Sequence, residues 1–374
     1  MKSKVYFVNL RARNQKQNKV TKIRNLFDKA GFKKVLSKGD LTAIKLHFGE
    51  LGSDGYINPV FVRQIVDKIK EVQANPFLTD TNTLYSGSRS NAVDHFNTAT
   101  LHGFSDAVVN APVLIADGLK GENVKNVEIN KKHFKNTRIA GAITEADSMV
   151  VLSHFKGHEM AGFGGAIKNL AMGCANPAGK RDQHSPRPAV NLDKCVGCGG
   201  CKKVCPRQAI TMKDNKSFIN KDKCIGCGEC MTVCPVKAIQ LDWVSELNEF
   251  TERLTEYAYG AVKGKEGKVG YMNFVINVTP DCDCVPWSDA PIVPDIGILA
   301  STDPVSLDQA SLDLVNKAVA LNNTLLKNNE CEKHDKHCSH DKFKAMRENT
   351  YGEVQLSYGE KIGLGTREYE LVEI

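Results

Sequence analysis

Eight of the thirteen cysteines in this 374-residue chain fall into two copies of one phrase. Cys195, Cys198, Cys201 and Cys205 stand in CVGCGGCKKVCP, and Cys224, Cys227, Cys230 and Cys234 stand in CIGCGECMTVCP. Both read C-x2-C-x2-C-x3-C-P, a run that ligates [4Fe–4S] clusters. Three thiols at that spacing wrap one face of a metal–sulfur cube. The glycines between them (Gly197, Gly199, Gly200, Gly226 and Gly228) let backbone N–H groups approach sulfur. In two-cluster proteins the fourth cysteine of each run serves the other cluster. The predicted sets are therefore Cys195, Cys198, Cys201 and Cys234 for one cluster, and Cys224, Cys227, Cys230 and Cys205 for the second. Zinc usually takes two C-x2-C pairs, and disulfides suit small secreted chains, so both fit this pattern less well.

The doubled run needs only residues 190–242, predicted to be a ferredoxin-like α+β module. The remaining residues 1–189 and 243–374 are enough for a larger body. Composition is that of a globular protein, 41% hydrophobic and 25% charged. Met1–Lys4 leads straight into a strand-like run rather than an apolar leader. No stretch of 18 apolar residues predicts a membrane span, and a reducing cytoplasm is the expected setting. The formal charge of +7 is spread out. Its densest stretch, Arg11–Arg24, reads as a solvated face or as a docking patch for an acidic carrier. No nucleic-acid recognition motif is visible.

Apolar runs Val5–Leu10, Leu41–Phe48, Pro112–Ala116, Ser148–Ser153, Tyr271–Val278 and Ile296–Ala300 read as buried strands. Helical patterns lie between them. One stripe (Val20, Ile23, Leu26, Phe27, Ala30) ends at Gly31, and another opens at Asn58–Pro59 with Val62, Ile65, Val66 and Ile69. Further helices are expected over Ser245–Val262 and Asp303–Leu326. Such alternation predicts an α/β fold, a mainly parallel sheet flanked by helices. Because strand and helix patterns resume after the cysteine runs, the module is read as inserted into one body.

A second chemical centre precedes the clusters. Ser153–Cys174 follows a strand and so belongs at a strand's carboxyl end, where open α/β sheets bind ligands. Gly162, Gly164 and Gly165 suit an anion-cradling turn into a helix. The stretch also gathers Cys174 and the candidates for catalysis, His154, His158 and Lys168. After another strand comes Asp281-Cys282-Asp283-Cys284, followed by Trp287, Asp289 and Asp295. Cys174, Cys282 and Cys284, joined by His154 or His158, are a candidate third metal or cluster site; buried, unreactive thiols are the plainer reading. Asp80–Tyr85, Arg89 and His47 are expected on the same sheet edge. The stretch Cys331–His340, with His334, His337 and Cys338, reads as a charged connection with metal-ligand density.

Several phrases together resemble one family: KLHFGE (Lys45–Glu50), TDTNTLYSGSR (Thr79–Arg89), SHFKGHEMAGFGGAIKN (Ser153–Asn169), the doubled run, DCDC (Asp281–Cys284), PDIGILASTDPVSLDQA (Pro294–Ala310) and GLGTREYEL (Gly363–Leu371). They are similar to the domain of unknown function 362 family, in its form carrying a two-cluster ferredoxin segment. The resemblance implies a soluble iron–sulfur protein without a settled substrate. The segment from His154 to Gly173 is also similar to a motif of the nickel-pincer lactate racemase family, where histidines and a lysine attend a metal-bearing cofactor. That likeness singles out His154 and Lys168.

The expected function is an iron–sulfur oxidoreductase. Electrons from a ferredoxin or flavodoxin would pass through two [4Fe–4S] clusters to a substrate or cofactor in the α/β body. A flavin could serve between clusters and substrate, and a third metal is a separate candidate cofactor. The alternative is an electron carrier or adaptor that docks a partner enzyme and has no substrate of its own.

Overall fold

The computed structural model describes residues 2–85, 87–184, 188–221, 223–224, 229–241, 247–328 and 341–374. Four strands come first: β1 (Ser3–Asn9), β2 (Leu41–Lys45), β3 (Asn75–Asp80) and β4 (Val113–Ile115). A hairpin, β5 (Val124–Glu128) and β6 (Asn136–Ala140), precedes β7 (Ser148–His154) and a second hairpin, β8 (Lys156–His158) and β9 (Gly162–Gly164). Then come β10 (Pro188–Val190), β11 (Ile210–Lys213), β12 (Lys216–Ile219) and β13 (Ile239–Leu241). The last three are β14 (Val269–Val275), β15 (Gly297–Ser301) and β16 (Tyr369–Glu373).

Eight of these strands form one sheet in the order β16-β1-β15-β14-β7-β2-β3-β4. β15 runs antiparallel to both its neighbours. The other pairs are parallel. The architecture is thus mixed α/β around a mainly parallel sheet flanked by helices. Every residue of β7 and of β14 is buried, as expected of central strands covered on both faces. On one face Ile23, Leu26 and Phe27 of helix Lys19–Lys29 pack with Val62, Ile65 and Val66 of helix Pro59–Glu71 over Ile44, Val150, Leu152 and Met272.

Helix starts follow the predicted chemistry. The Asn58 side chain accepts from the Val60 N–H with Pro59 in the first turn, and Asp303 accepts from the Val305 and Ser306 N–H groups ahead of Pro304. The helix expected over Asp303–Leu326 stops at Lys317. Ala318 turns extended (φ −68, ψ 152), and the Leu321 N–H bonds to the Ile292 carbonyl instead. No described helix is long and apolar enough to cross a membrane.

The chain divides into two compact units, residues 1–183 with 251–374, and residues 184–250. The smaller one is wider than the 190–242 read from the sequence. Its strands pair in a nested fashion, β10 with β13 and β11 with β12. The strand before the first cysteine run therefore pairs with the strand after the second, and the inner two pair with each other. Hydrogen bonds repeat with the sequence: the Cys195 and Cys224 N–H groups donate to the Asn191 and Asn220 carbonyls. The Ala209 and Ala238 N–H groups each donate to the fourth thiol of a run, Cys205 or Cys234, at 3.2 Å.

Candidate functional site

The parallel strands of the larger unit deliver polar residues to one edge of the sheet. β2 ends at Lys45, β3 at Asp80 and β7 at His154. Beyond β14 lies the loop carrying Cys282, Asp283 and Cys284. Asp283, fully buried, accepts from His154 Nδ1 (2.9 and 3.0 Å) and pairs with Lys156 at 3.3 Å. Burial opposes its charge, but His154 and Lys156 hold its carboxyl well below the usual range. Two more threads fix the loop: the Glu50 N–H donates to the Asp283 carbonyl (2.9 Å), and the Tyr85 hydroxyl donates to the Cys284 carbonyl (2.9 Å). His154 Nε2 faces the carbonyls of Ile276 and Asn277 at 3.0 and 2.9 Å. His154 thus anchors the loop rather than pointing into an open space at either nitrogen.

The loop holds a pair of sulfurs beside a buried cation. Lys168 Nζ donates to Cys282 Sγ at 3.0 Å. The Cys284 thiol hydrogen-bonds to Cys282, and Lys168 and Lys156 add their fields, so the Cys282 thiol falls well below its ordinary range while Cys284 is pushed well above it. The pair is thus biased toward placing negative charge on Cys282, next to the Lys168 ammonium. Burial disfavours the Lys168 charge, yet Cys282 and Cys284 raise its pKa overall. His158, Cys282 and Cys284 each bring one ligand-type atom within 4.8 Å of the others. Cys174 is not in that group. It lies fully buried at the end of helix Ala166–Gly173, and burial pushes its thiol up to about 12.

His158 meets the sulfurs in a particular tautomer. Its Nδ1 accepts from the Met160 and Ala161 N–H groups at 3.1 and 3.0 Å. A nitrogen that accepts has no hydrogen, so the ring hydrogen sits on Nε2. A histidine bound to metal through Nε2 normally donates from Nδ1; this one accepts there. Nearby, burial and Cys282 raise the Glu159 carboxyl above its usual range.

A second cluster adjoins the first through one helix. Next to Lys168 in sequence, Asn169 accepts from Lys45 Nζ at 2.6 Å and donates to the Leu152 carbonyl and Ser153 hydroxyl. Lys45 pairs with Asp80 at 3.0 Å, both side chains buried. Arg89, also buried, reaches Glu50 at 3.1 Å and Asp80 at 3.6 Å. His95 lies 3.8 Å from Asp80. Neither of its ring nitrogens has a hydrogen-bond partner among the described residues, and burial holds it down near 3. A cleft of about 230 Å³ opens on this edge, lined by His154, Tyr56, Phe61 and Asn277 among others.

The glycine turn differs from expectation. The sequence predicts a cradle for a ligand's anion at this helix start. In the structure the chain's own carboxylate sits there: Asp308 accepts from the Ala166 and Ile167 N–H groups at 2.8 and 2.9 Å. Any Cβ on Gly165 would collide with that carboxylate. Trp287 donates to Asp281 at 3.1 Å, Asp295 accepts from the Asn277 N–H, and Asp289 is exposed. Lys156, His95 and Asp308 were missed in the sequence, although a lysine or aspartate inside an apolar run signals a buried polar partner.

In the smaller unit, Cys195, Cys198, Cys201 and Cys234 line one cavity with Val196, Val236 and Ile239. Cys205 and Cys230 pack in its apolar core with Ile210 and Ile219. Cys224 is half-buried. Cys227 and the stretch Cys331–His340 lie outside the described residues.

Residues 42–313 match the family model described as Domain of unknown function (DUF362). The chain belongs to this family. Solved structures with which this DUF362 chain shares a likeness include the lactate racemase apoprotein from Thermoanaerobacterium thermosaccharolyticum, at 14% identity and a TM-score of 0.36, covering 68% of this chain and 49% of that one. Another is a protein from Thermotoga maritima, at 9% identity and a TM-score of 0.32, covering 77% and 57% respectively. The chain spans about half the length of these structures. No curated protein matches it.

Proposed function

We propose that this DUF362 chain is an iron–sulfur oxidoreductase, with two [4Fe–4S] clusters in the 184–250 unit and a reduction site at the sulfur pair of the larger unit. The observation that carries the reading is the cavity shared by Cys195, Cys198, Cys201 and Cys234. Three of these thiols come from the first run and one from the second, the combination crossed ligation requires. Apolar walls and backbone N–H donors to sulfur suit a cluster, since both tune cubes held by thiolates. Clusters bound there would supply electrons one at a time.

The chain's own groups define the other end. Lys168 keeps a positive charge against Cys282, and His158 presents an N–H. Lys168 and Cys282 are buried and Cys284 is half-buried, so a small substrate would approach from the Cys284 side, where Lys168 would orient it by charge. A carrier without its own substrate remains a second reading, because Cys198 is exposed and Val196 beside it is 63% exposed. That rim would meet a ferredoxin or flavodoxin.

Anaerobic purification with metal and sulfide analysis tests the first claim. About eight iron and eight sulfide per chain are expected for two cubes. Zinc or oxidised thiols without inorganic sulfide would sink it. Turnover of small acceptors by wild type and its loss in Cys282→Ser separates the oxidoreductase from the carrier.

A further inference from the structure

The thiols of Cys282 and Cys284 are two residues apart and held within 4.8 Å of each other by a loop pinned at the Asp283 carboxylate and at the Asp283 and Cys284 carbonyls. Two hydrogen donors stand beside them, the Lys168 ammonium at 3.0 Å from Cys282 and the His158 ring, which brings one nitrogen within 4.8 Å of both sulfurs and has its Nε2 3.7 Å from the Glu159 carboxyl. Donors of this kind stabilise a thiolate, whereas a metal would need the lone pair that His158 does not offer at Nε2. We propose that Cys282 and Cys284 are a redox pair that cycles between dithiol and disulfide, with Lys168 stabilising the reduced form.

The balance is simple. On oxidation Cys282 as thiolate and Cys284 as thiol lose two electrons and one proton, and the Cys282–Cys284 sulfur bond forms. With a small disulfide as oxidant, its sulfur bond breaks, and it leaves as one thiol and one thiolate. In the reverse direction two electrons, accepted singly or as a pair, and one proton restore the starting state. Such a pair joins one-electron carriers to two-electron chemistry. The matching substrate class is a small molecule containing a sulfur–sulfur bond, because thiolates attack such bonds directly. A disulfide across one intervening residue closes a small strained ring. Strain raises the reduction potential and marks a bond as labile rather than structural. The inference rests on the oxidoreductase reading only for the source of its electrons.

Full-length protein, prepared anaerobically, is equilibrated in glutathione redox buffers, quenched with acid, alkylated and digested. The peptide carrying Cys282 and Cys284 is then weighed. One two-electron transition is expected between a doubly alkylated and an internally linked form. Cys174 serves as a control and stays a thiol throughout. Lys168→Met should shift the equilibrium with glutathione toward disulfide by about tenfold, the equivalent of one pKa unit, and Lys168→Arg should restore much of it. A merely structural lysine would lower stability without moving that midpoint. Absence of the linked peptide in every buffer, linkage appearing only after denaturation, or stoichiometric metal lost on Cys284→Ser would each overturn the proposal. Iron and sulfide are measured in the same samples. A pair that cycles in protein lacking sulfide leaves this inference standing and removes the cluster reading; full clusters with an inert pair do the opposite.

Discussion

Both units bury sulfur, and they meet its charge in different ways. In residues 184–250 the thiols receive backbone dipoles: Ala209 to Cys205, Ala238 to Cys234, and the Ser217 hydroxyl 3.1 Å from Cys201. The Gly197 N–H leads the groups that lower Cys195. Around them stand valines and isoleucines. At the sheet edge of the larger unit the Cys282 sulfur receives a full cation instead. The contrast teaches that the two units offer sulfur different company, dipoles in one and a cation in the other; on the proposal that clusters occupy the first, a thiolate sharing its charge with a cluster would need only dipoles, whereas an isolated buried thiolate calls for a cation.

Four substitutions probe that contrast. The largest effect is expected from Cys198→Ser, which removes one thiol from the shared cavity. Iron and sulfide should fall by about half or more, as measured by metal analysis, while alkylation of the Cys282 peptide is unchanged. Next, Asp80→Asn leaves Lys45 and Arg89 short of a counter-charge. Breaking a buried pair costs about 3–5 kcal/mol, to be read by urea unfolding, with iron content unaltered. If both variants damaged both units equally, the division of labour would be wrong.

His95→Phe should have a smaller effect, seen mainly in acid. The folded ring holds its proton only near 3, against an ordinary 6.5. Between those values the unfolded chain binds the proton and the folded one does not. Stability contributed by the neutral ring is therefore present above 6.5 and lost as pH falls toward 3. Phenylalanine, packed against Phe48 as His95 is, should flatten the melting temperature over that window. Asp80, whose carboxyl is held low, still loses its contribution below its ordinary 3.8. The smallest effect is expected for Ser217→Ala, which removes a hydroxyl beside Cys201 and Cys195. A modest fall in one cluster potential is expected, because hydrogen bonds to sulfur raise it; an unchanged redox titration would remove Ser217 from the account.

Much of the fold was legible because its signals are local. Apolar runs located the central strands, and Asn58–Pro59 and Asp303–Pro304 announced helix starts through their own cap chemistry. The same runs put His47, Asp80, Arg89 and His154 on one edge. What escaped were pairings across long sequence distances. Nothing near Lys168 indicates that its partner is Cys282, and nothing near Cys174 shows that it faces Lys45 and Asp80 rather than the sulfur pair. Lys156 and Asp283 likewise reveal their partnership only once β7 and β14 lie side by side. The strand β16 was missed altogether: its pattern of half-exposed residues is that of an edge, without the continuous apolar run of a central strand.

The carboxylate of Asp308 at the glycine turn bears on any search for ligands. Nucleotides and other phosphate esters commonly dock by their phosphate at such a helix start, and here they would meet like charge and a filled seat. Screening collections should therefore begin with small molecules lacking phosphate. A glycine-rich signature of this sort, taken alone, would send the search toward the wrong shelf.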